Sequence, residues 1–341
     1  AIKLNSLDQY AEVEERTTTA STAYVDKTTL TFTPDTSGDY IILASAIGDG
    51  ADPGRDFRIQ LDVDGSVSSN SNIETKLATN RYLWGVVKKV NLTAASHTIK
   101  IQYSTEVAAY PAGISDARII VLRADEFNNV YYDAAESRST TASTSYINHL
   151  ALTQTTPESN YLIIGSAGLD GAIVSESAYG QLTKDGVSYG EMVVETKDIT
   201  NQGYPYFVIK KESLTNSQSI WRMQYRAETA SYAAGIKDSK IAVLELMPDP
   251  IITISSVGTQ TASVNKNTTD NYIGGAFTFQ SNLGSVNLNQ ITISETGTID
   301  ANTNLSNLKL YYETAATCSY DGDETLFGTA VSFDSSQKAT I

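Results

Sequence analysis

A long internal repeat is the feature that most restricts how this chain can fold. Tyr10, Glu14, Arg16, Ala20 and Tyr24 return in the same order as Tyr132, Glu136, Arg138, Ala142 and Tyr146, an offset of 122 residues. The offset falls to 121 where Asp64-Gly65 meets Asp185-Gly186 and Glu74 meets Glu195. It returns to 122 where Gln102-Tyr103 meets Gln224-Tyr225, and again where Tyr110 and Asp116 meet Tyr232 and Asp238. Repetition at this period means tandem copies of one domain, so the copies must share one fold. The expected organisation is an N-terminal arm over 1–9, repeats over 10–127 and 128–247, and a further domain over 248–341. Pro248 and Pro250 stiffen the connector that starts that last domain.

Within each copy the pattern reads as strand after strand. Residues 40–46 and 161–167 are short apolar runs, whereas Phe57, Ile59, Leu61 and Val63 alternate with polar neighbours at the period of a half-buried strand. The Asp-Gly pairs at 64–65 and 185–186 are hairpin signals, because both residue types tolerate positive φ. No long segment combines a 3.6-residue period with helix caps. The expectation is all-β: tandem antiparallel β-sandwich or jelly-roll domains, two homologous repeats followed by a third, smaller β-sandwich.

Composition removes several functions. The chain has 341 residues, 24 basic against 39 acidic side chains, and a net charge of −15. Such a surface repels nucleic-acid phosphates, and no apolar run is long enough for a membrane-spanning helix. Two histidines and one cysteine give a His/Cys metal site or a thiol–imidazole nucleophile little material. Cys318 has no second cysteine with which to pair, which leaves a free thiol or a partner beyond Ile341. Ala1 as first residue fits a removed leader or a piece of a longer chain. No cofactor is expected.

The remaining candidate sites are few. Tyr82 and Trp84 correspond to Tyr204 and Tyr206, at spacing two on a strand, so each pair projects from one face. Exposed, those rings would stack on sugars; buried, they are core. Asp49, Asp52 and Asp56 line an acidic, glycine-containing loop with oxygen donors of the kind Ca²⁺ uses, although Arg55 opposes the charge and no EF-hand spacing exists. Glu74/Glu195 and Asp116/Asp238 recur in both copies as carboxylates for acid–base work, weighed against solvated strand faces. His97 and His149 read as structural. Asn91, Asn267 and Asn304 sit in glycosylation sequons.

Residues 32–40, with Phe32, Thr33, Gly38 and Tyr40, resemble the F-T-x(4)-G-x-Y signature of C1q/TNF-like jelly rolls. The second copy keeps Thr153 and Tyr161 but has Leu152 for the Phe. The 120-residue module is similar to jelly-roll repeats of secreted prokaryotic and phage structural proteins, and the tail resembles a module of bacterial surface proteins. In outline the chain resembles donor-strand β-sandwich subunits of archaeal bundling pili and biofilm fibres. These resemblances imply a non-enzymatic, extracellular cell-surface protein that polymerises head to tail with itself. Ile2 and Leu4 would anchor a donated strand, and strands around Phe277, Phe279 and Tyr311 would receive it. A carbohydrate-binding adhesin is the alternative.

Overall fold

The computed structural model describes residues 9–341 apart from 51, 53, 75–80, 172–175, 196–202, 249–250, 261–262, 264, 270, 272–273, 282–286, 313–321 and 323. Contacts divide the chain into two units, 1–248 and 249–341.

In the first repeat the strands are β1 (Gln9–Val13), β2 (Thr17–Thr19), β3 (Val25–Phe32), β4 (Gly38–Gly50), β5 (Asp56–Val63), β6 (Ser66–Glu74), β7 (Tyr82–Leu92), β8 (His97–Thr105) and β9 (Ala112–Arg123). One sheet runs β1-β9-β4-β7, with β2 also on β9; the other runs β3-β8-β5-β6. Because β1 and β2 share one partner strand, they fill a single position interrupted near Arg16. Eight positions then order as 1-8-3-6 and 2-7-4-5, the arrangement of a jelly roll.

The second repeat has the same plan with β10 (Phe127–Ala135), β11 (Ser139–Thr141), β12 (Ile147–Thr156), β13 (Ser159–Gly171), β14 (Ser177–Lys184), β15 (Val187–Glu195), β16 (Tyr204–Leu214), β17 (Ser217–Ala227) and β18 (Ala234–Leu246). Its sheets run β10-β18-β13-β16, with β11 on β18, and β12-β17-β14-β15.

Local chemistry accounts for the shared details. Asp64 and Gly65 have φ of 53° and 80°, and Asp185 and Gly186 have 49° and 86°. Each pair closes a two-residue hairpin, with Val63 opposite Ser66 and Lys184 opposite Val187. Tyr40 and Tyr161 each donate a hydroxyl hydrogen bond to a carbonyl four residues earlier, Thr36 at 2.9 Å and Pro157 at 3.0 Å. The tyrosine of the jelly-roll signature thus ties down the turn that enters the third strand position. Inside each sandwich the core is apolar, with Phe57, Ile59, Leu61 and Trp84 in the first and Tyr161, Leu182, Trp221 and Met223 in the second.

In residues 249–341 the described strands are β19 (Ile252–Gln260), β20 (Gly274–Ser281), β21 (Thr292–Ser294), β22 (Ser306–Tyr312), β23 (Thr325–Ser332) and β24 (Lys338–Thr340). They pair as β19-β20, β21-β24 and β22-β23. One short turn of helix, α1 (Ala301–Asn304), lies beside a small core of Ala301, Ala330, Phe333 and Ala339.

Candidate functional site

Two sets of polar residues organise the repeats: one recurs in both copies, and the other lies where the copies meet. Arg16 grips Asp49 with two hydrogen bonds, Nε to Oδ2 at 3.0 Å and Nη2 to Oδ1 at 2.6 Å. Arg138 grips Asp170 in the same way, at 2.7 and 2.6 Å. Such forked pairing satisfies both carboxylate oxygens. Gly113 and Gly235 leave room for it: a Cβ on Gly113 would fall 2.3 Å from both Arg16 Nη2 and Asp49 Oδ1, and one on Gly235 1.9 Å from Asp170 Oδ1. The arginine of the repeat signature is therefore a clamp that fixes the interrupted first strand.

This pairing corrects the calcium expectation at Asp49, whose carboxylate is committed to Arg16. Asp52 and Asp56 belong to no cluster of three or more His, Cys, Asp or Glu side chains able to hold an ion among the described residues.

Asp116 and Asp238 also have a structural task. Their φ values are 51° and 54°, in the left-handed region that aspartate tolerates. Each sits where the last strand of its repeat slips register against the third, and its N–H donates to a carbonyl of the interrupted first strand, Glu14 at 3.2 Å and Glu136 at 3.3 Å. Glu74 is buried and Glu195 exposed, so the second recurrent carboxylate pair occupies two unlike environments.

Lys27 and His149 complete the frame. They occupy equivalent bulges in β3 and β12, between Asp26 and Thr28 and between Asn148 and Leu150. Lys27 Nζ donates to the carbonyl of Glu15, and His149 Nε2 meets the carbonyl of Ser137 at 3.0 Å. Burial holds the imidazole of His149 below its ordinary value, partly offset by that hydrogen bond. His97 instead bonds Asp64 at 2.7 Å beside the first hairpin.

The two jelly rolls are joined through the outward faces of their first sheets. Ile41, Leu43, Val87 and Leu122 pack with Leu162, Ile164, Ala242 and Leu244 in a second hydrophobic core, separate from the sandwich interiors. A Cβ on Gly85 would lie 2.4 Å from Phe207 Cγ, so that glycine admits the ring of the other repeat. Polar bonds surround the contact. Gly203 N–H donates to Asn72 O at 2.9 Å, Tyr204 Oη to Glu74 O at 3.0 Å, and Lys88 Nζ to Glu136 at 2.7 Å. Ser69 Oγ donates to Asp238, which also binds Lys240. Lys240 is fully buried, and burial pulls its ammonium below the usual lysine range while Asp238 opposes the shift. Its counterpart Arg118 stays partly exposed, paired to Glu12 at 2.6 Å and Glu14 at 3.2 Å.

The aromatic residues weighed as a glycan platform lie in these cores. Trp84 is 1% exposed, Tyr204 2% and Tyr206 4%, while Tyr82 packs partly buried against the same interior. Tyr82 and Tyr204 meet each other with ring centroids 6.1 Å apart. Tyr206 Oη donates to Gly190 O at 2.8 Å and accepts from Leu182 N–H at 2.9 Å, and burial pushes its pKa up to about 12. Stacking on a sugar needs a ring face open to solvent, so these four residues are packing residues and not a platform.

Of the other sequence candidates, Asn91, Asn267 and Asn304 are exposed. Phe277 and Phe279 are exposed and Tyr311 is half-buried. Ile2, Leu4 and Cys318 lie outside the described residues.

No protein-family model matches the chain, and no curated protein sequence matches it. Solved structures match at low identity. An insecticidal delta-endotoxin of Bacillus thuringiensis aligns with 72% of this chain and 54% of its own at 9% identity and a TM-score of 0.26. A triple jelly-roll protein of an archaeal virus turret aligns with 69% of this chain and 59% of its own at 11% identity and a TM-score of 0.22. The tandem CBM51 modules of a family 98 glycoside hydrolase from Streptococcus pneumoniae align with 64% of this chain and 81% of their own at 11% identity and a TM-score of 0.21. The chain spans a little over half the length of the first two. The fold rests on the strand order of this chain and not on these likenesses. The chain is an all-β protein of tandem jelly rolls with a strand-rich C-terminal unit.

Proposed function

We propose that this protein is a non-enzymatic, extracellular structural protein, the repeating subunit of a surface filament. Subunits join head to tail when residues 1–8, anchored by Ile2 and Leu4, add as a strand to a neighbouring subunit, Gln9 of the 1–9 arm being paired with Val121 in its own sheet. The observation that supports this reading most is the second hydrophobic core. It joins two jelly rolls into one body through faces that would otherwise be open, as suits a module that transmits load. A further support is the position of β1. It lies at the edge of its sheet, and the sequence before it holds Ile2 and Leu4 at the spacing of two that a donated strand would use.

The test is deletion of residues 1–8. The shortened protein should keep its melting temperature and lose polymerisation, measured by sedimentation and light scattering. Unchanged polymerisation would contradict the reading.

A carbohydrate-binding adhesin is the second reading, and one feature favours it. On the outer face of β12-β17-β14-β15, Arg226 lies 3.6 Å from the ring centroid of Tyr179 and 5.3 Å from that of Tyr146, all three half-exposed. Tyr179→Ala should then weaken binding on a glycan array. An array without hits counts against this reading.

A further inference from the structure

The second sheet of each repeat ends on an equivalent edge strand, β6 in the first and β15 in the second, and the two edges are used differently. Arg58 and Gln60 lie opposite Asn72 and Asn70, and Tyr179 and Gln181 opposite Val193 and Glu191, so the registers match. On β6 the carbonyls of Asn72 and Glu74 point away from the sheet. The second repeat takes both, through Gly203 N–H at 2.9 Å and Tyr204 Oη at 3.0 Å. The matching register turns the N–H and C=O of Glu191, Val193 and Glu195 outward in the same way. Among the described residues, no hydrogen bond reaches Val193 from outside its own sheet.

The side chains reverse the order that water favours. Met192 and Val193 stand where the covered strand has Ser71 and Asn72. Ser71 is 4% exposed, yet Val193 is 52% exposed. A polar edge is covered and a more apolar, β-branched one is open, as suits an edge that receives a strand. Gly190 turns its carbonyl to Tyr206 Oη, so the open ladder runs over residues 191–195, about 17 Å. Along it Met192 and Val194 pack toward the sandwich interior, while Glu191, Val193 and Glu195 form the exposed outer row.

We infer that β15 is the edge that receives residues 1–8 of a second copy. The inference rests on the strand donation proposed above and names its acceptor. Length, alternation and charge select this occupant. Eight residues precede β1, enough to line the five open positions and leave three to reach them. With Ile2 and Leu4 in the inner row beside Met192 and Val194, Lys3 falls in the outer row with Glu191 and Glu195. A second β15 is the poorer occupant, because β15 holds no basic residue and pairing two copies about Val193 sets Glu191 against Glu195. Main-chain bonds supply the affinity of such an addition, and alternate side chains its register.

Val193→Pro in the 341-residue chain tests this, because proline removes an N–H that faces away from β14. Polymerisation should weaken about tenfold or more, whereas Val193→Thr, which keeps the N–H, should stay within about twofold of the parent. Melting curves of both variants should match the parent. A peptide of residues 1–8, added to the chain lacking them, makes the test independent of any folding defect. It should bind and slow amide exchange across residues 191–195. N-methylation at Lys3 and Asn5, or at Ile2 and Leu4, should abolish that binding for one set only, since alternate N–H groups face the ladder. Exchange slowed elsewhere, as at Phe277 and Phe279 in β20, would leave strand donation standing and overturn β15 as its acceptor. Polymerisation indifferent to Val193→Pro, or equal weakening by both N-methylated peptides, would do the same. A peptide that binds nowhere would overturn the donation reading as well.

Discussion

The two repeats share a backbone plan but use equivalent positions differently. Arg118 in the first reaches solvent among Glu12 and Glu14, whereas Lys240 in the second is buried beneath the neighbouring repeat with Asp238 and Ser69. Tyr10 is exposed, while Tyr132 at the matching position packs into the second core. What stays constant is the clamp of arginine on aspartate, the positive-φ aspartate at the bulge and the tyrosine at the turn. The scaffold residues repeat, and the residues that adapt each copy to its neighbour diverge.

The largest effect that would sharpen this contrast is at the shared core. Ile164 is fully buried there, and its cross-strand neighbour Ile209 is exposed. Ile164→Asp places an unpaired charge in an apolar layer and should cost about 4 kcal/mol or more, measured by urea unfolding. Ile209→Asp should stay within about 0.5 kcal/mol of the parent. Equal effects would mean that the two jelly rolls do not share this core in solution.

The scaffold clamps come next. Arg138→Ala strands Asp170, whose side chain is 3% exposed, and Arg16→Ala strands Asp49 at 10%. Each should cost on the order of 3 kcal/mol, the Arg138 variant more because its aspartate is better shielded from water. A reversed order would break the equivalence of the two clamps.

The smallest effect is the pH dependence that His149 adds in the second repeat. Burial favours the neutral form of His149, so the unfolded chain takes up the proton first as pH falls. The stabilisation is complete above the ordinary histidine value near 6.5 and is lost as pH drops through that value toward the lower folded one. Melting temperature should fall between pH 7.5 and pH 5, and His149→Asn should flatten the histidine part of that slope. An unchanged slope would remove His149 from the account.

Much of this was legible from residues alone, and the limits are physical. The repeat gave the modular plan, and the Asp-Gly pairs gave the hairpins, because local conformational preference suffices for a two-residue turn. The jelly-roll order is a matter of long-range pairing, which periodicity does not encode. The shared core had a signal in the unbroken apolar run at 40–44, since a strand apolar on both faces is buried on both. Nothing in their sequence surroundings announces that Arg16 meets Asp49 across 33 residues, or that Lys27 and His149 do the same work with different chemistry. The glycan platform failed because spacing two tells which residues share a face but not whether that face meets water.

The proposal that this chain is the subunit of a filament is tested most directly by negative-stain electron microscopy of the 341-residue chain beside the chain lacking residues 1–8. Long fibres with a regular axial repeat are expected from the first sample and isolated particles from the second. Isolated particles from the 341-residue chain under every condition, or fibres from both, would contradict the proposal.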